Sequence, residues 1–340
     1  MAAHQRPTSD HSPRVFRLTR PEDDGAAFLQ AVEALRAGAL VAVPTETVYG
    51  LACDATSPEA VARLYAAKGR PAINPLIAHL ADADAAEREA LFDDRARRLA
   101  EAFWPGPLTL VLPRRADSTV TPSACAGLPS IALRVPAAPL MQGLSRELGR
   151  PIAAPSANRS GRISTTTADA VVEDLGSAAS VVLDAGPCRI GVESTIVGLA
   201  DDTARLLRPG GIDRAAIEAV LGTPLAEPPA GSASAPTAPG LLSSHYAPHA
   251  AVRLDAIEIE PGEACLAFGD MIPAGSVHAI AFENLSPSGN LEEAAANLFG
   301  ALRRLDASGA PTIAVAPIPD TGLGEAIRDR LRRAAAPRTR

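Results

Sequence analysis

The side chains best suited to chemistry lie in short polar segments that interrupt apolar stretches of the chain. The segments combine hydroxyls, amides, Lys and Arg with Pro and Gly, and they are PTETVYGL (44–51), AAKGRPAINPL (66–76), FWPGPLTLVL (103–112), PSIALRVP (129–136), APSANRSGRIS (154–164), GVESTI (191–196) and LLRPGG (206–211). Arg and Lys neutralise phosphate oxygens, while hydroxyls and backbone N–H groups orient them. Any one segment alone could be a turn with a surface charge. Taken together, they predict a ligand site.

Lys68 is the only lysine among 32 basic residues, and all the others are Arg. Lys is a compact point charge on a flexible stem, whereas the Arg side chain ends in a planar fork. Either this lysine survived by chance, or it marks a position where Arg will not serve.

Several standard site templates are absent from the sequence. No GxxxxGK[ST] phosphate loop, GxSxG nucleophile elbow or CxxC pair occurs. The Gly322-Leu323-Gly324 stretch lacks the third small residue of a dinucleotide-binding loop. His245 and His249 are separated by Pro248, which argues against a helix presenting both imidazoles on one face. We therefore predict no metal site built from protein ligands.

Composition narrows the class of protein further. The chain has 340 residues, enough for about two domains, and 47% of them are hydrophobic. A net charge of −7 argues against a protein held on nucleic acid by bulk positive charge. No apolar run is long enough to span a membrane. Without an evident export signal, we expect a cytoplasmic protein whose four cysteines are reduced.

Periodicity and capping signals then predict the elements that carry the polar segments. Helices are predicted over 26–37, 57–68, 85–102, 166–175, 213–221, 291–305 and 324–335. Strands are predicted over 39–43, 75–80, 108–112, 131–135, 152–154, 192–199, 205–207, 264–268 and 312–316. Because strands and helices mix without strict alternation, the expected fold class is α/β, with an open twisted mixed sheet and a smaller C-terminal Rossmann-like α/β domain.

Changes in composition predict the domain boundaries. Residues 1–13 are expected to be a disordered leader, 14–222 the first domain and 251–340 the second domain. The Pro-, Ala-, Gly- and Ser-rich stretch within 223–250 is predicted to be a linker.

Eight strings together resemble the signature of the YrdC/Sua5 family in its two-domain form. They are PTETVYGL, KGRPAINPLI, WPGPLTLVL, IALRVP, PIAAPSANRSG, GVESTIV, LLRPGGI and HYAP, in the family's order. The resemblance is dense over residues 25–250 and loose in the tail, where GLGEAIRDRLRRAA matches best. It implies that residues 14–222 form a YrdC-like catalytic domain. It also implies that the linker within 223–250 folds back over the nucleotide and acts as a lid.

The resemblance also implies an activity. Members of the family form L-threonylcarbamoyl-adenylate and pyrophosphate from L-threonine, bicarbonate and ATP, with Mg²⁺ carried by ATP. The adenylate then feeds the tRNA threonylcarbamoyl-transfer machinery, which makes N6-threonylcarbamoyladenosine. Two other interpretations remain: a carbamoyl-adenylate-forming enzyme, and a non-catalytic module that contacts RNA. The absence of CxxC pairs argues against the former and the net charge against the latter.

Carried over position by position, the resemblance implies a set of site residues. The residues implied to border threonine are Thr47, His79, Arg134, Ala154 and Ser194. Those implied to contact ATP are Arg70, Asn74, Ser130, Ser156, Ser164, Arg208 and Tyr246. The catalytic cations would be Lys68, Arg70 and Arg208, since the carbamate is itself the nucleophile and the enzyme has to place anions together and stabilise developing charge.

Each assignment has a purely structural alternative. Thr47 could cap a turn, and His79 could be a hydrogen-bonded core residue. Arg134 could be a surface cation, and Tyr246 could pack at the domain interface. Glu46 and Glu193 invite a general-base role, but we favour the interpretation that they orient loops or neighbouring cations.

Overall fold

The computed structural model describes residues 13–18, 25–228 and 245–337. The predicted leader lies outside these ranges except for Pro13, and so does the stretch 229–244 of the predicted linker. None of the helices within the described ranges combines the length and the apolar character needed to cross a bilayer.

The N-terminal part of the chain folds around one large sheet. Its strands are β1 (Arg14–Arg17), β2 (Val41–Val43), β3 (Gly50–Asp54), β4 (Ile77–His79), β5 (Leu108–Pro113), β6 (Ser130–Arg134), β7 (Ile152–Ala153), β8 (Val181–Asp184), β9 (Thr195–Gly198) and β10 (Arg205–Arg208). Its helices are α1 (Gly25–Arg36), α2 (Pro58–Lys68), α3 (Ala83–Glu87), α4 (Asp94–Phe103), α5 (Pro139–Leu148), α6 (Ala168–Leu175) and α7 (Arg214–Leu221).

The sheet is open and mixed, as the sequence predicts. Within the described residues its strand order is β1-β8-β2-β3-β7-β4-β6-β5-β9-β10. Strands β4 and β6 run parallel, in a register that pairs His79 with Arg134. Strand β7 is antiparallel to β4, and β10 is antiparallel to β9. The register between β4 and β6 therefore places two predicted site residues at the same end of adjacent strands.

Local capping chemistry explains where the site-bearing helix α2 begins and ends. The Ser57 hydroxyl accepts a hydrogen bond from the backbone N–H of Ala60, and Pro58 occupies the first turn. Gly69 ends the helix in the left-handed conformation at φ +59°. These signals agree with the helix predicted over 57–68, and they fix Lys68 at the last position of the helix.

Two sequence predictions of helices need correction. The single helix predicted over 85–102 is two helices, because the Asp82 and Asp93 side chains each start a new one by accepting a backbone N–H at 2.8 Å. The helix predicted over 166–175 begins at Ala168, because the Thr167 hydroxyl caps it by accepting the backbone N–H of Ala170. A second hydroxyl or carboxylate near a predicted start is enough to move a helix boundary.

Other elements were not predicted. Gly50–Asp54 continues the polar PTETVYGL segment as strand β3, although this segment was interpreted as a loop. Strands β1 and β8, helix α5 and two strands of the C-terminal part, Ala251–Arg253 and Phe282–Asn284, were also missed. Short strands of this kind carry little periodicity of their own, and they form because neighbouring strands satisfy their backbone groups.

The C-terminal part forms a second, smaller sheet, in agreement with the predicted Rossmann-like domain. Its elements are β11 (Ala251–Arg253), β12 (Ala264–Ala267), β13 (Phe282–Asn284), α8 (Leu291–Ala307), β14 (Thr312–Val315) and α9 (Leu323–Ala335). All strand pairs are parallel, and the order is β11-β14-β12-β13. Helices α8 and α9 pack on this sheet and supply most of its apolar core.

The two sheets share one hydrophobic cluster. Val48, Ile163 and Val192 from the first part pack with Phe299 and other buried residues of the second. The backbones also approach closely, because a Cβ atom at Gly191 would lie 2.3 Å from the carbonyl oxygen of Ala295. Only glycine fits there, and its φ of +79° also favours glycine. The second part is therefore packed directly against the loops of the first.

Candidate functional site

Most of the predicted site residues converge on one small cavity of about 50 Å³. It lies where β4, β6 and β10 end and where the described part of the linker returns to the first sheet. Predicted residues that line it are Thr47, Arg70, His79, Arg134, Ala154, Ser156, Ser194, Arg208 and Tyr246. Segments far apart in sequence thus meet at one place, as α/β sheets commonly arrange at strand ends.

A buried ion pair holds one wall of the cavity. Arg134 Nη2 lies 2.7 Å from Glu46 Oε1, and both side chains are only 4% exposed. Arg134 Nη1 donates to the Thr47 hydroxyl at 3.0 Å. The same Glu46 oxygen accepts the backbone N–H of Ala137 at 3.0 Å. Arg134 is therefore not a surface cation, and Glu46 orients it, in agreement with our interpretation of that carboxylate.

The hydroxyls of the PTETVYGL segment have separate roles. Thr45 Oγ1 accepts the backbone N–H groups of Thr47 and Val48, each at 3.2 Å, so Thr45 stabilises a turn. Thr47 Oγ1 faces Arg134 instead and is fully buried. The turn presents the second hydroxyl to the cavity.

His79 sits beside Arg134 and is 2% exposed. Burial and the neighbouring Arg134 cation lower the pKa of His79 to about 3, so the imidazole is neutral at pH 7. Its Nδ1 has no hydrogen-bond partner within the described ranges. An unpaired buried nitrogen is costly, and a polar ligand at this place would relieve the cost.

A second cation anchors the opposite wall. Arg208 donates from Nε and Nη2 to the carbonyl oxygen of Ser194 at 3.1 and 2.9 Å. Its Nη2 is also 3.2 Å from Ser194 Oγ, which lies 2.7 Å from Thr109 Oγ1. Gly210 makes this arrangement possible, because a Cβ there would lie 2.3 Å from the carbonyl oxygen of Glu193. The LLRPGG motif thus fixes Arg208 against the GVESTI segment.

The KGRP segment places two more cations near the cavity. Lys68 Nζ donates to the carbonyl oxygen of Ser156 at 2.5 Å and to that of Asn158. Arg70 donates from Nε to the carbonyl oxygen of Asn74 and from Nη2 to that of Pro75, at 3.1 and 2.8 Å. Burial, followed by the Arg70 charge, lowers the pKa of Lys68 well below its ordinary value. A nearby anion would offset this destabilisation of the ammonium.

Glu193 forms the floor of the site together with a residue of the second sheet. Its Oε1 accepts the Ser164 hydroxyl at 2.5 Å, and its Oε2 lies 2.8 Å from Arg330 Nε. Burial alone would raise the pKa of Glu193, but the Arg330 and Arg208 cations and the hydrogen bonds from Ser164 and Arg330 lower it to about 2. The group is a carboxylate already engaged by partners, which favours an orienting role over that of a general base.

Tyr246 closes the cavity from the linker side. It is 1% exposed and adopts φ +62°, which is unusual for a bulky residue. Its ring stacks on Phe299 at 5.6 Å between centroids and meets the His245 ring edge-on at 4.1 Å. Tyr246 therefore packs at the domain interface and also lines the cavity, so its packing role does not exclude the predicted contact with ATP.

Some predicted residues do not line the cavity, namely Lys68, Asn74, Ser130 and Ser164. Lys68 and Ser164 each donate a hydrogen bond to a residue that lines the cavity, Lys68 to Ser156 and Ser164 to Glu193. Asn74 is fully buried, and both atoms of its amide group lack partners within the described residues. Ser130 begins β6, four residues before Arg134 at the cavity end, so it stands roughly 13 Å away at ~3.3 Å per residue.

Other cavity residues were missed by sequence reasoning. Val48, Ile77 and Pro155 supply apolar wall, and His245 supplies a buried imidazole. All four lie within the strings PTETVYGL, KGRPAINPLI, PIAAPSANRSG and HYAP, which were the available signal. Arg330 lies within GLGEAIRDRLRRAA, but nothing in the sequence distinguishes it there from the other arginines of an amphipathic helix.

The acidic groups around the cavity are already committed to arginines. Glu46 pairs with Arg134, and Glu193 pairs with Arg330. Among the described residues no group of three or more His, Cys, Asp and Glu side chains could hold a metal ion. The described donor set does not fit a protein cage for Mg²⁺.

The two buried imidazoles predict acid sensitivity of the fold. Burial lowers the pKa of both His79 and His245 to about 3, against about 6.5 in an unfolded chain. Between about pH 6.5 and pH 3 the unfolded state therefore binds protons that the folded state does not bind. The free energy of unfolding is highest above about pH 6.5 and falls as the pH drops toward 3. At pH 5 each imidazole is expected to cost about 2 kcal/mol of unfolding free energy.

The check is denaturant unfolding at pH 7.5 and pH 5.0. The free energy of unfolding that is lost between pH 7.5 and pH 5.0 should be about 2 kcal/mol smaller in His79→Gln than in the unchanged protein, because the imidazole is no longer there to titrate. The exposed His278 provides the matched control, His278→Gln, which should lose as much stability as the unchanged protein. Equal pH dependence in His79→Gln and the unchanged protein would contradict the buried, neutral state of His79.

Comparison with known proteins places this geometry in context. Residues 33–210 match the family Sua5_yciO_yrdC, described as telomere recombination. Residues 212–336 match Sua5_C, described as threonylcarbamoyl-AMP synthase, C-terminal domain. Together these matches cover the second sheet and all of the first sheet except strand β1.

Individual relatives cover nearly the whole chain. Threonylcarbamoyl-AMP synthase of Bacillus subtilis is 41% identical over 322 residues, which are 91% of this chain and 93% of that protein. The crystal structure of P. abyssi Sua5 complexed with L-threonine superposes with a TM-score of 0.84 at 37% identity, covering 95% of this chain and 97% of that one. A shorter relative from Mycobacterium tuberculosis is 38% identical over 208 residues, covering 61% of this chain and 94% of that protein.

Two matched domain families, full-length identity above 40% and a shared three-dimensional arrangement agree with one another. The chain belongs to the Sua5/YrdC family in its two-domain form.

Proposed function

We propose that the protein is a threonylcarbamoyl-AMP synthase, which forms L-threonylcarbamoyladenylate and pyrophosphate from L-threonine, bicarbonate and ATP. The single observation that carries the proposal is the buried cavity in which nine of the residues implied by family resemblance meet. Relatives named for this activity cover more than nine-tenths of the chain, and a relative with the same fold was crystallised with L-threonine.

The reaction needs positioning more than it needs a protein nucleophile. The threonine amine displaces hydroxide from bicarbonate: the N–C bond forms, a C–O bond breaks, and the hydroxide leaves as water with a proton from the nitrogen. The carboxylate oxygen of the resulting carbamate attacks the α-phosphorus of ATP. A new P–O bond forms, the bond between the α-phosphorus and the bridging oxygen breaks, and pyrophosphate leaves with that electron pair. Bringing two anions together is favourable only where fixed positive groups offset their charge.

The threonine side of the site is proposed to be the wall formed by Thr47, His79 and Arg134. Arg134 is held rigidly by Glu46, and a guanidinium is well suited to a carboxylate such as that of the amino acid. The neutral His79 offers an unpaired ring nitrogen to a neutral polar group such as the threonine hydroxyl. Ala154 and Ser194 complete the lining.

The nucleotide side is proposed to lie among the cations of the opposite wall and the KGRP segment. Arg70 and Arg208 line the cavity, and Lys68 lies directly behind Ser156. Asn74, Ser130, Ser156, Ser164 and Tyr246 are proposed as further contacts of ATP. Mg²⁺ enters with ATP as part of the substrate, where it supplies charge neutralisation of the phosphates.

The linker residues are proposed to act as a lid. The cavity volume of about 50 Å³ is far below the roughly 300–1,000 Å³ of sites that hold drug-sized ligands. His245 and Tyr246 line the cavity, and a shift of this short segment is proposed to open it for the nucleotide. Closure over the bound reactants would exclude water from an adenylate that hydrolyses readily.

The wider setting is proposed to be tRNA modification in the cytoplasm. All four cysteines are unpaired and buried, which suits a reducing compartment. The product would pass to the tRNA threonylcarbamoyl-transfer machinery, and RNA contact at this handover can be measured by filter binding of a tRNA transcript with and without ATP and threonine.

The direct experiment is a product assay. The pure protein is incubated with ATP, Mg²⁺, bicarbonate and L-threonine, and both pyrophosphate and the adenylate are followed by chromatography. We expect product only when threonine and bicarbonate are both present. Pyrophosphate release without threonine would point to another acceptor, such as that of a carbamoyl-adenylate-forming enzyme. Absence of turnover together with tight RNA binding would overturn the enzyme assignment.

A further inference from the structure

One arginine of the second domain contacts residues at the site of the first domain. Arg330 lies on helix α9, yet its side chain is fully buried. Its Nε lies 2.8 Å from Glu193 Oε2, and its Nη1 donates to the carbonyl oxygen of Pro209 at 2.9 Å. Its Cζ lies 5.2 Å from the centroid of the Tyr246 ring. Among the described residues of the second domain, Arg330 alone combines a contact with Glu193, a hydrogen bond to Pro209 and a contact with the Tyr246 ring.

Two of these contacts end next to a residue proposed to bind ATP, and the third ends on one, Tyr246. Glu193 passes the first one to the Ser164 hydroxyl at 2.5 Å. Pro209 directly follows Arg208 in the chain, so holding its carbonyl restrains the backbone that presents Arg208. Tyr246 receives the guanidinium on its ring face, where a cation–π contact is favourable. One guanidinium thus holds Tyr246 itself and the residues that hold Ser164 and Arg208 in place.

A second arginine braces the same segment from helix α8. Arg303 Nη2 donates to the carbonyl oxygen of Ile163 at 2.7 Å. The same side chain forms a two-point pair with Asp174, at 2.9 and 3.1 Å. Ser164 is therefore held through its hydroxyl by the Glu193–Arg330 pair, while its backbone neighbour is held by Arg303. Two arginines on helices of the second domain, Arg303 and Arg330, therefore restrain Ser164 through separate contacts.

These contacts do more than join two domains. Apolar packing already joins them, through the cluster that contains Val48, Val192 and Phe299. Burying an ion pair costs desolvation energy, and well-packed apolar residues often stabilise as much or more. A fully buried Arg330 aimed at Glu193 is better explained by the precision it gives to the site than by stability alone.

We propose that Arg330 is a positioning residue for the nucleotide side of the site, so that the second domain completes the site that binds ATP. The inference rests on the proposed function for the identity of the nucleotide. It assigns no contact between Arg330 and the substrate. Its consequence is selective: ATP binding depends on Arg330, whereas the threonine wall, which is held by Glu46, does not.

The test compares Arg330→Met and Arg330→Lys with a control on the same helix. Arg332→Ala is the matched control, since the Arg332 side chain is 53% exposed and pairs only with surface Asp320 among the contacts described for it. The readouts are KM for ATP, KM for threonine, kcat, and calorimetric binding of a non-hydrolysable ATP analogue. We expect Arg330→Met to raise KM for ATP, and to weaken analogue binding, by about 10- to 100-fold. KM for threonine should stay within about twofold.

Arg330→Lys keeps the charge and loses the planar fork, so it should recover part of the ATP affinity and not all of it. Unchanged KM for ATP and unchanged analogue binding in both variants would overturn the proposal. Equal rises of KM for ATP and for threonine would also overturn it, because they indicate a general structural role. If Arg330→Met fails to fold, the double variant Glu193→Gln/Arg330→Met removes the uncompensated charge and carries the same comparison.

The analogue measurement also separates this inference from the proposed function. If the unchanged protein binds the analogue but makes no threonylcarbamoyl-adenylate, the proposed function fails. Loss of analogue binding in Arg330→Met would then still support the role of Arg330 in the nucleotide site, and retained binding would still overturn it.

Discussion

Replacement of Lys68 by methionine is expected to lower kcat by a factor on the order of 10²–10³, the usual effect of removing one preorganised donor aimed at developing charge. The stem of the side chain is kept, so the change removes little but the ammonium group. Nζ lies between the carbonyl oxygens of Ser156 and Asn158, directly behind the proposed nucleotide side. KM for threonine should change little, because Arg134 and Glu46 are untouched.

Lys68→Arg is expected to be nearly as inactive. The position is 4% exposed, and a guanidinium is larger than the ammonium that fits between the two carbonyls. Arg63→Met on the same helix is the control, since Arg63 is exposed and should keep full activity. Steady-state kinetics with both substrates, together with thermal unfolding of each variant, provide the check. A fully active Lys68→Arg would mean that the single lysine carries no special chemistry.

Replacement of Arg134 by methionine is expected to raise KM for threonine by on the order of 10²-fold, since charge-assisted hydrogen bonds contribute about 1.5–3 kcal/mol each. The protein should also lose roughly 3–5 kcal/mol of stability, because Glu46 is left buried without its partner. Calorimetric titration with threonine and denaturant unfolding measure the two effects separately. Arg150→Met is the control, as the Arg150 side chain is 54% exposed and pairs with Asp54 away from the cavity.

The double variant Glu46→Gln/Arg134→Met separates binding from stability. It removes the uncompensated carboxylate charge, so most of the lost stability should return. Threonine affinity should not return, because the guanidinium is still missing. If affinity recovered along with stability, Arg134 would be a structural residue and the threonine wall would have to be sought elsewhere.

The sequence predicts the mixed sheet, the second parallel sheet and much of the cavity for a common physical reason. Ser57, Pro58 and Gly69 fix helix α2 through contacts local to the chain, which sequence patterns record directly. The polar strings record the walls of the cavity in a similar way. Nine predicted residues therefore meet at one place, although no local rule says that they should.

The remaining features depend on contacts between distant segments. The break between α3 and α4 arises because Asp82 and Asp93 each accept a backbone N–H and start a helix. Several acids lie in this stretch, and composition alone does not decide which of them caps a helix. Partners such as Glu46 for Arg134 and Arg330 for Glu193 are separated by 88 and 137 residues in the chain. Single-sequence periodicity carries no information about such pairs, and only the assembled fold reveals them.

The apolar cluster shared by the two sheets makes them one cooperative unit in unfolding. Val48, Ile163 and Val192 belong to the loops of the first sheet, and their apolar cover comes from the second. Chain truncated after Gly222 would expose these side chains to water and would place an unpaired Glu193 at the same surface. Heating the intact protein should therefore give a single calorimetric transition, in which the site and the second domain melt together.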